Sequence, residues 1–423
     1  MTTVEPGTAR RRRSGSTRAA IVAAAREEFI ARGYRATSLR EIAAAAGISH
    51  PGLLGHFATR GELLAEVVAT FEEQNRLRML ERAAAAEPGI LGFSEIARDN
   101  ERVPGYLALF AALTGEASTT RHPAHALMRD RYARLLEMST DAMEDAVAHD
   151  AIAADRDPRE ESVRVVAAWD GLQVLEQYLP HRVDVASALE TYEDLLALPR
   201  GWREDDGPRG EVIPQPLPTM ALAQPDAAPV GYRTGRQRRE QVLASAMQLF
   251  ARDGYGDTSL REVAEHVGVS KSTLLHYFSS KEELLRAVLT ERDRLIEQVT
   301  SDAHPTRAAD VLRALPTGAA HNADHEPGLI EVYAVLSCEA VPAGHVAHEY
   351  FETRLTLATD HFADLFRAAQ ADGDLPAHRD PEFEAAWLVA LWDGLQYQWL
   401  YDRESIDVAA HLIAHLDDVL PRR

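Results

Sequence analysis

The chain has 423 residues, of which 26% are charged and 46% hydrophobic, a balance typical of a globular protein with two to four domains. Its formal net charge of −21 argues at first against a nucleic-acid partner. The charge is uneven, however: residues 8–60 carry a net +7, residues 232–281 carry +3, and the remainder carries −31. Two basic islands on an acidic body therefore confine any DNA contact to the islands.

The single cysteine, Cys338, excludes a disulfide framework within the chain, and we expect it to be a small buried residue. The basic run at 10–13 is not followed by the apolar core of a signal peptide. No apolar run approaches the roughly 20 residues that span a membrane. We therefore expect a protein of the reducing cytoplasm with no membrane partner.

The first 32 residues predict a basic arm followed by a helix. Residues 1–13 lack an apolar period and end in four arginines, which indicates a disordered arm. The arm is either a solvated tail or a contact with phosphate or the minor groove. A helix is predicted over 16–32, because Ile21, Ala25 and Phe29 recur at a spacing of four.

Two short helices joined by a turn follow this first helix. Ser38 and Glu41 have the spacing of a capping box, which opens the first short helix. Gly47 marks the turn, and Ser49 has the right type and place to cap the second short helix.

The second short helix is a weak one. Its first turn contains Pro51, which is tolerated there because no backbone N–H is needed. Gly52 and Gly55 each weaken it by roughly 1 kcal/mol relative to alanine.

The rest of the first half is predicted to be helical, since almost no stretch alternates as a strand does. Prolines and Glu-Pro-Gly punctuate the helices, which are predicted over 61–86, 90–99, 104–118, 123–150, 159–180 and 184–198. Residues 199–230 contain seven prolines and predict a partly extended linker.

The chain then repeats itself. Residues 250–285 match 29–64 without a gap at 17 of 36 positions, at an offset of 221. The repeat continues into the bodies at an offset of 223, where Trp-Asp-Gly-Leu-Gln occurs at 169–173 and at 392–396. A unit of about 190 residues is therefore duplicated.

The second copy contains the same helix-turn-helix signals. Ser259 and Glu262 form a capping box, Gly268 is suited to the left-handed conformation that ends a helix, and Ser270 caps the next one. We expect the apolar residues of that helix, Leu274, Leu275 and Phe278, to point to the core.

The outward-facing start of this helix consists of Lys271, Ser272 and Thr273, which are short or basic, as a major-groove surface requires. Lys271 and Lys281 are the chain's only lysines, and both fall in this motif. A compact charge on a flexible stem suits phosphate, although an arginine-rich composition with chance placement explains the pattern equally simply.

Taken together, F-x(3)-GY-x(2)-TSLREVA-x(3)-GVSKSTLLHYF-x(2)-KEEL resembles the N-terminal DNA-binding domain of TetR-type transcriptional regulators. The resemblance implies an all-α fold in which each helix-turn-helix domain precedes a helical ligand-binding and dimerisation domain. We therefore expect two tandem TetR-like units. Their boundaries are 1–13 for the arm, 14–60 and 231–281 for the DNA-binding domains, 61–198 and 282–423 for the regulatory domains, and 199–230 for the linker.

The resemblance also implies a dimer, here formed within one chain. The dimerisation bundle is expected to combine 159–180 and 184–198 with 382–402 and 405–419. Such an intramolecular pseudo-dimer reads two half-sites of double-stranded operator DNA, and further self-association of the chain stays open.

The resemblance places the DNA contacts in the two helix-turn-helices and at the start of the next helix. They are Thr37, Arg40, Ser49, His50, Pro51, Gly52, His56 and Arg60 in the first copy, and Thr258, Arg261, Ser270, Lys271, Ser272, Thr273, His276, Tyr277 and Lys281 in the second. A solvated helix face is the alternative for the two arginines of the second helix, capping for the two threonines, and packing for His56 and Tyr277.

The first copy departs from the family pattern. The family has a larger residue where Gly55 stands and a lysine where Arg60 stands. We therefore expect unequal readers, with the second copy supplying more of the base specificity and the first more of the phosphate attraction.

A small-molecule effector is expected in the regulatory domains. Aromatic residues crowd 387–401, and we assign the ligand contacts to Trp169, Tyr178, Trp392, Gln396 and Trp399, although core packing is the common role of such a cluster. His pairs at helical spacing, 345/348, 321/325 and 411/415, lack further ligands in the sequence, so we expect no metal and no cofactor.

The leading hypothesis is a ligand-responsive repressor that reads an asymmetric operator. The alternative is a small-molecule-binding or partner-interaction protein in which one or both helix-turn-helices are vestigial. An enzyme ranks third, because no phosphate-cradling glycine loop, nucleophile elbow or HExxH motif occurs.

Overall fold

The fold is that of a computed structural model, which describes residues 6–32, 34, 37–85, 88–103, 105–118, 122, 124–204, 217–218, 233–300, 306–325 and 327–422. Within these ranges the regular structure is α-helical and contains no strand. The all-α prediction is confirmed.

The helices of the first half follow the predicted order and lie within a few residues of the predicted bounds after the first. They are α1 (Pro6–Arg32), α2 (Leu39–Ala45), α3 (His50–Leu54), α4 (Arg60–Ala85), α5 (Phe93–Glu101), α6 (Tyr106–Glu116), α7 (His125–Ala148), α8 (Pro158–Tyr178) and α9 (Val185–Leu196).

The second half repeats this series. Its helices are α10 (Arg233–Asp257), α11 (Leu260–Val267), α12 (Lys271–Tyr277), α13 (Lys281–Thr300), α14 (Ala308–His325), α15 (Pro327–Glu339), α16 (His348–Ala371), α17 (Pro381–Tyr401) and α18 (Val408–Val419). In each half the last helix packs on an earlier body helix, α9 on α5 and α18 on α14.

The N-terminal prediction was wrong in one respect. Helix α1 begins at Pro6, so the backbone of the basic run at 10–13 belongs to the helix and not to a disordered arm. The side chains of residues 6–15, and residues 1–5 altogether, lie outside the described structure. Arginine is a good helix former, and the run follows a proline that is favourable in a first helical turn.

The first residues of the linker predicted over 199–230 bind to the second half of the chain. Arg203 donates to the carbonyl oxygens of Gly373 and Asp374 at 2.7 and 2.8 Å. The N–H of Gly201 donates to Asp418 Oδ1 at 2.6 Å. The end of the first half is therefore bound to the second; of the linker after 204, the structure describes 217–218.

The two halves meet along α8 and α17, at the repeated Trp-Asp-Gly-Leu-Gln motif. A Cβ added to Gly171 would lie 1.9 Å from the carbonyl oxygen of Ala390, and one added to Gly394 would lie 1.7 Å from that of Ala167. The two backbones are therefore in direct contact, and only glycine fits at the crossing.

Replacing Gly171 by alanine should force α8 and α17 apart. We expect a loss of at least about 1–3 kcal/mol in the free energy of unfolding, the usual cost of overpacking. The matched control is Gly318→Ala in α14, where an added Cβ meets nothing within 4 Å. That change should stabilise the chain by about 0.5–1 kcal/mol, because alanine is the better helix former. Urea unfolding measures both, and similar effects of the two changes would contradict the crossing.

A second contact between the halves is ionic. Asp418 lies on α18 and accepts from Arg156 of the first half at 3.2 Å and from Arg379 of the second at 3.1 Å. The two arginines are equivalent in the repeat, but the residue equivalent to Asp418 is Leu195. Burial disfavours the charge on Asp418, and the guanidinium groups of Arg379 and Arg156 outweigh it and lower its pKa. One carboxylate therefore serves both halves.

Replacing Asp418 by asparagine should remove the anion that the two buried arginines share, while Arg156 keeps Glu161 and Arg379 keeps Glu384. Because charged hydrogen bonds are lost but each arginine stays paired, we expect a loss of about 1–3 kcal/mol at pH 7. The pKa of Asp418 is lowered from 3.8, so its contribution is complete above that pH and is lost as the pH falls through the folded-state pKa. Urea unfolding should therefore show the difference from wild type shrinking below about pH 4. Asp417→Asn, at an exposed neighbouring site, should have little effect at either pH.

Candidate nucleic-acid interface and internal cavity

Each half begins with a helix-turn-helix domain, here called its head, which is built as predicted. Both capping boxes form, between Ser38 and Glu41 and between Ser259 and Glu262. The turns depend on glycine, because Gly47 and Gly268 adopt the left-handed conformation with φ of 68° and 73°. The side chains of Ser49 and Ser270 then accept from the N–H groups of Gly52 and Thr273, both at 3.1 Å, and so begin α3 and α12.

The second recognition helix exposes the predicted polar face. Lys271, Ser272 and Thr273 are all exposed at its start. Ser270 Oγ lies 2.8 Å from the hydroxyls of both Ser272 and Thr273, which orders this edge. Lys271 forms no ion pair within the described part of the chain, so its charge faces solvent.

The prediction for Leu275 was wrong. Leu274 and Phe278 are buried, as expected, but Leu275 is 38% exposed, and its equivalent Leu54 is 41% exposed. Successive helical residues point about 100° apart, so the residue after a buried one turns away from the core. Both recognition helices, α3 and α12, therefore carry an exposed leucine beside their polar face.

The first recognition helix is shorter than the second. Helix α3 ends at Leu54 with Gly55 as its C-cap, whereas α12 continues to Tyr277, a position equivalent to His56. Pro51 and Gly52 are exposed, and His50 is half-buried. The first copy thus presents a smaller surface with fewer side-chain atoms, in line with the helix-weakening glycines.

The two threonines proposed as phosphate contacts are structural. Thr37 and Thr258 are 1% and 2% exposed. Their hydroxyls donate to carbonyl oxygens of the preceding helix, of Glu28 at 3.3 Å and Leu249 at 3.4 Å. Capping belongs to the serines that follow them. Burial next to the first helix keeps both threonine side chains away from any DNA.

Arg40 in α2 and Arg261 in α11 occupy equivalent positions, but they differ in whether an acidic side chain pairs with them. Arg40 is exposed and forms no ion pair within the described residues. Arg261 Nε lies 2.7 Å from Glu265 Oε1, one helical turn away. Ala44 occupies the position equivalent to Glu265. This pair was predictable from the sequence, because Arg261 and Glu265 have opposite charges and stand four residues apart on a helix.

The cations at the head of the next helix rest on tyrosine rings. Arg60 lies over Tyr34 at 4.6 Å from the ring centroid, and Lys281 lies over Tyr255 at 4.2 Å. Both side chains are half-buried. The cation–π contact holds each of them at the edge of its helix-turn-helix domain.

The last predicted contact residues lie at the end of the recognition helices. His56 is half-buried, and its carbonyl oxygen accepts from Arg18 at 3.1 Å. In the second copy His276 is exposed, and Tyr277 is half-buried beside it. A DNA role for these side chains stays a prediction.

Replacing Glu265 by alanine should free Arg261. An exposed ion pair contributes little to stability, so the fold should be unaffected. If the freed arginine reaches a phosphate, DNA affinity should rise and the plot of log affinity against log salt should steepen by about 0.9. Fluorescence anisotropy across a salt series measures this. Glu291→Ala adds the same net charge by releasing Arg294 on α13, and should leave the salt slope unchanged.

Two symmetric clamps join the bodies beneath the heads. The hydroxyl of Tyr178 donates to the carbonyl oxygen of Ser337 at 2.6 Å, and its ring stacks on His348. The equivalent Tyr401 donates to the carbonyl oxygen of Thr114 at 2.6 Å and stacks on His125. Tyr178, which we assigned to ligand binding, is therefore an interface residue with its hydroxyl already used.

The neighbouring histidines connect these clamps to the heads. A Cβ on Gly61 would lie 2.7 Å from His122 Nε2, so this imidazole touches the first turn of α4. In the second half the ring of His345 packs edge-on against Tyr255 of the head, with centroids 5.5 Å apart. The repeated His-x-x-His motif therefore links each head to the interface between the bodies.

A buried ion network adds a second link in the first half. Arg131 on α7 lies 3.1 Å from Glu72 on α4 and 3.7 Å from Asp170 on α8. The hydroxyl of Tyr106 donates to Glu72 at 2.7 Å. The helix that leaves the head is thereby tied to the interface helix.

The second half builds the same link from the equivalent arginine and acidic residues, with a tyrosine at a different position. Arg354 Nε lies 3.1 Å from Asp293 on α13, and its other end lies 3.4 Å from the hydroxyl of Tyr333. That hydroxyl donates to Asp393 at 3.3 Å. Burial raises the pKa of Asp393 to about 6, against the pull of Arg354.

A cavity of about 640 Å³ lies at the seam between the halves. Its walls come from α7 and α8 of the first half and from the end of α17, the following loop and α18 of the second; they include Tyr132, Glu137, Asp141, Glu160, Gln398 and His411.

None of the predicted ligand residues lines this cavity. Trp169 packs edge-on against Phe93, and Trp399 lies under Arg403. Trp392 is half-buried and Gln396 buried in the core. The aromatic cluster is mostly core, and of its members Tyr401 alone reaches the cavity wall. Aromatic content reports burial, whereas a cavity depends on how separate helices pack.

Cys338 is buried, as predicted, and burial raises the pKa of its thiol to about 12. No group of three or more His, Cys, Asp or Glu side chains that is suited to a metal occurs among the described residues. The side chains of His321 and His325 lie outside them. Nor does the described part of the chain include a helix with the length and apolar character needed to span a membrane.

Comparison with known proteins identifies the repeated heads. Residues 21–67 and 242–288 each match the family described as bacterial regulatory proteins, tetR family. The chain is 24% identical to the HTH-type transcriptional regulator SrpR of Pseudomonas putida over 174 residues, 40% of this chain and 78% of SrpR. It is 24% identical to the regulator UidR of Escherichia coli (strain K12) over 172 residues, 40% of this chain and 84% of UidR.

Solved structures give a similar match. A TetR-family transcriptional regulator from Agrobacterium tumefaciens has 19% sequence identity and a TM-score of 0.39, covering 44% of this chain and 99% of that one.

Proposed function

We propose that the chain is a tandem DNA-binding transcriptional regulator of the TetR type, supported by its two tetR-family matches and its regulator relatives, and that it acts as a ligand-responsive repressor that reads an asymmetric operator as a single-chain pseudo-dimer. The observation that carries the proposal is the contact of α8 with α17, which joins two unlike helix-turn-helix heads through their bodies. The domain boundaries given above, with the basic run counted as part of α1, complete it.

The pseudo-dimer is supported by contacts that a pair of separate chains makes by symmetry. The tyrosine clamps occur twice, once in each direction, with the donors and acceptors related by the repeat offset of 223. The linker holds the second half at an effective concentration of roughly millimolar or above for the first. A chain of this kind needs no second copy to present two heads.

Asymmetric reading is supported by the differences between the heads. The second head has the longer recognition helix and an exposed Lys271, while its Arg261 is paired with Glu265. The first head has a five-residue recognition helix and an unpaired, exposed Arg40. Base-edge contacts therefore favour the second head, and attraction to phosphate favours the first.

Ligand response is supported by the links between heads and bodies. In the first half Arg131 joins the first body helix directly to Asp170 of α8, and in the second half Arg354 joins it to Asp393 of α17 through the hydroxyl of Tyr333. A ligand that prefers the arrangement of bodies in which the heads do not fit the operator releases the DNA by population shift. Repression follows where the operator overlaps a promoter.

Selection of bound DNA from a random pool tests the proposal directly. We expect enriched sequences with two unlike half-sites, and gel shifts in which the joined site binds far more tightly than either half alone. Equal affinity for any sequence would contradict sequence-specific regulation. A palindromic consensus would contradict asymmetric reading and leave the regulator intact.

Single substitutions separate the two heads. Lys271→Ala should weaken binding to the selected site by about 1–3 kcal/mol, the usual contribution of a base contact, and more than His50→Ala. The reverse order would mean that the first copy dominates. If neither change matters while a small molecule still binds, the alternative of vestigial helix-turn-helices on a small-molecule-binding or partner-interaction protein is favoured.

A further inference from the structure

The two repeats have diverged around the cavity at the seam. The offset of 223 pairs Gln398 with Leu175 and Glu160 with Phe383. Around the equivalent place on the other side, Arg182 and Asp360 form a 2.6 Å ion pair between the halves, and Phe383 packs beside Trp387. Gln398 and Glu160 at the cavity thus stand where the other repeat has the apolar Leu175 and Phe383.

The floor of the cavity has unsatisfied polar groups. Gln398 is 2% exposed, and neither its amide nitrogen nor its amide oxygen makes a hydrogen bond to any described residue. A buried amide without partners is destabilising, because it has lost its hydrogen bonds to water without replacing them. Such a cost at a cavity wall is expected where a ligand supplies the partners.

The mouth of the cavity is acidic. Glu137 and Asp141 stand one turn apart on α7, and Asp402 faces them from the other half. None of the three is ion-paired within the described residues. Of the two lining arginines, Arg129 lies 3.7 Å from the neighbouring Asp130, which leaves Arg159 as the counter-charge. Like charges one turn apart repel, and a bound cation relieves the repulsion.

His411 also lines the cavity and lies 3.4 Å from Glu160. It is 6% exposed, and burial lowers the pKa of its imidazole, which disfavours its charged form. Tyr132 and Tyr401 are buried with ring centroids 5.4 Å apart, and present aromatic surface. Val163 and Ile406 complete an apolar interior.

We propose that this cavity binds an organic cation, an amine with an apolar or aromatic body, whose charge faces Glu137, Asp141 and Asp402 and whose polar atoms pair with Gln398. The proposal rests on the ligand response proposed above and names its site and ligand class. Recognition combines acidic attraction at the mouth with aromatic walls, which favour cations.

The position of the cavity also assigns the head that responds. Tyr401 forms part of the cavity wall and of the clamp on Thr114 and His125. His125 begins α7, and its N–H donates to the carbonyl oxygen of His122 at 3.0 Å; the His122 side chain touches Gly61 at the start of α4. A ligand pressing on Tyr401 therefore acts first on the head at 37–60, and the second head retains its own clamp.

Titration with the fluorescent primary amine dansylcadaverine tests the site without DNA. We expect saturable binding of one probe per chain, and binding about tenfold weaker for its uncharged N-acetyl derivative. Equal binding of the two compounds overturns the proposal, whatever the chain does with DNA.

Substitutions locate the probe. Gln398→Leu, which installs the residue of the other repeat, and the exposed pair Glu137→Gln with Asp141→Asn should each weaken binding about tenfold. Asp364→Asn, at the position equivalent to Asp141, should leave it unchanged. Thermal unfolding checks that the variants fold. If Gln398→Leu does not fold, the double variant Glu137→Gln with Asp141→Asn is enough to test the site. Binding that ignores both sets overturns the site.

The link to DNA is measured separately, with a selected operator and with each of its half-sites. We expect the probe to weaken binding of the half-site read by the first head more than that of the second. Probe binding without any release of DNA leaves the cation site standing and refutes the proposed ligand response. Release confined to the second half-site overturns the assignment of the responding head.

Discussion

The contact of two helix backbones at Gly171 and Gly394 is the constraint on which the rest of the molecule depends. A carbonyl oxygen of the opposite helix occupies the space of each missing Cβ, so α8 and α17 cross at one place and one angle. The tyrosine clamps, the shared Asp418 and the cavity walls all lie on helices whose relative position this crossing determines. Without the glycines, α8 and α17 would meet only through hydrophobic side chains. Such contacts have no preferred direction and would allow the two halves to slide along each other.

Joining the two protomers in one chain removes the requirement that the interface be symmetric. In a dimer of identical chains a substitution appears on both sides of the axis. Here Asp418 faces two equivalent arginines although its own equivalent is Leu195, and Gln398 opens onto a cavity although its equivalent is Leu175. The same freedom explains the unequal heads, since Glu265 pairs with Arg261 where the first copy has Ala44. The two halves therefore share one fold but differ in the side chains at their heads and at the seam.

Much of the candidate DNA interface was predictable because its determinants are local. Capping boxes, left-handed glycines and an apolar spacing of four act within a few residues, so both helix-turn-helices appeared where the sequence placed them. The errors were also local in kind. Leu275 was assigned to the core by its type, but its direction on the helix exposes it, and the hydroxyl of Thr258 was assigned to DNA although it lies against the preceding helix.

The sequence by itself determined the number and order of the helices, the duplication, and the turns that make each head, because hydrophobic period and capping are written in neighbouring residues. Tertiary structure alone decided which side chains meet across the seam. Tyr178 and Ser337 are 159 residues apart, and Arg156 and Asp418 are 262 apart, so no local pattern announces either contact. The cavity is of the same kind, because empty space arises from the packing of four helices from two halves. That is why the predicted aromatic ligand residues proved to be core and interface, while Gln398 went unnoticed.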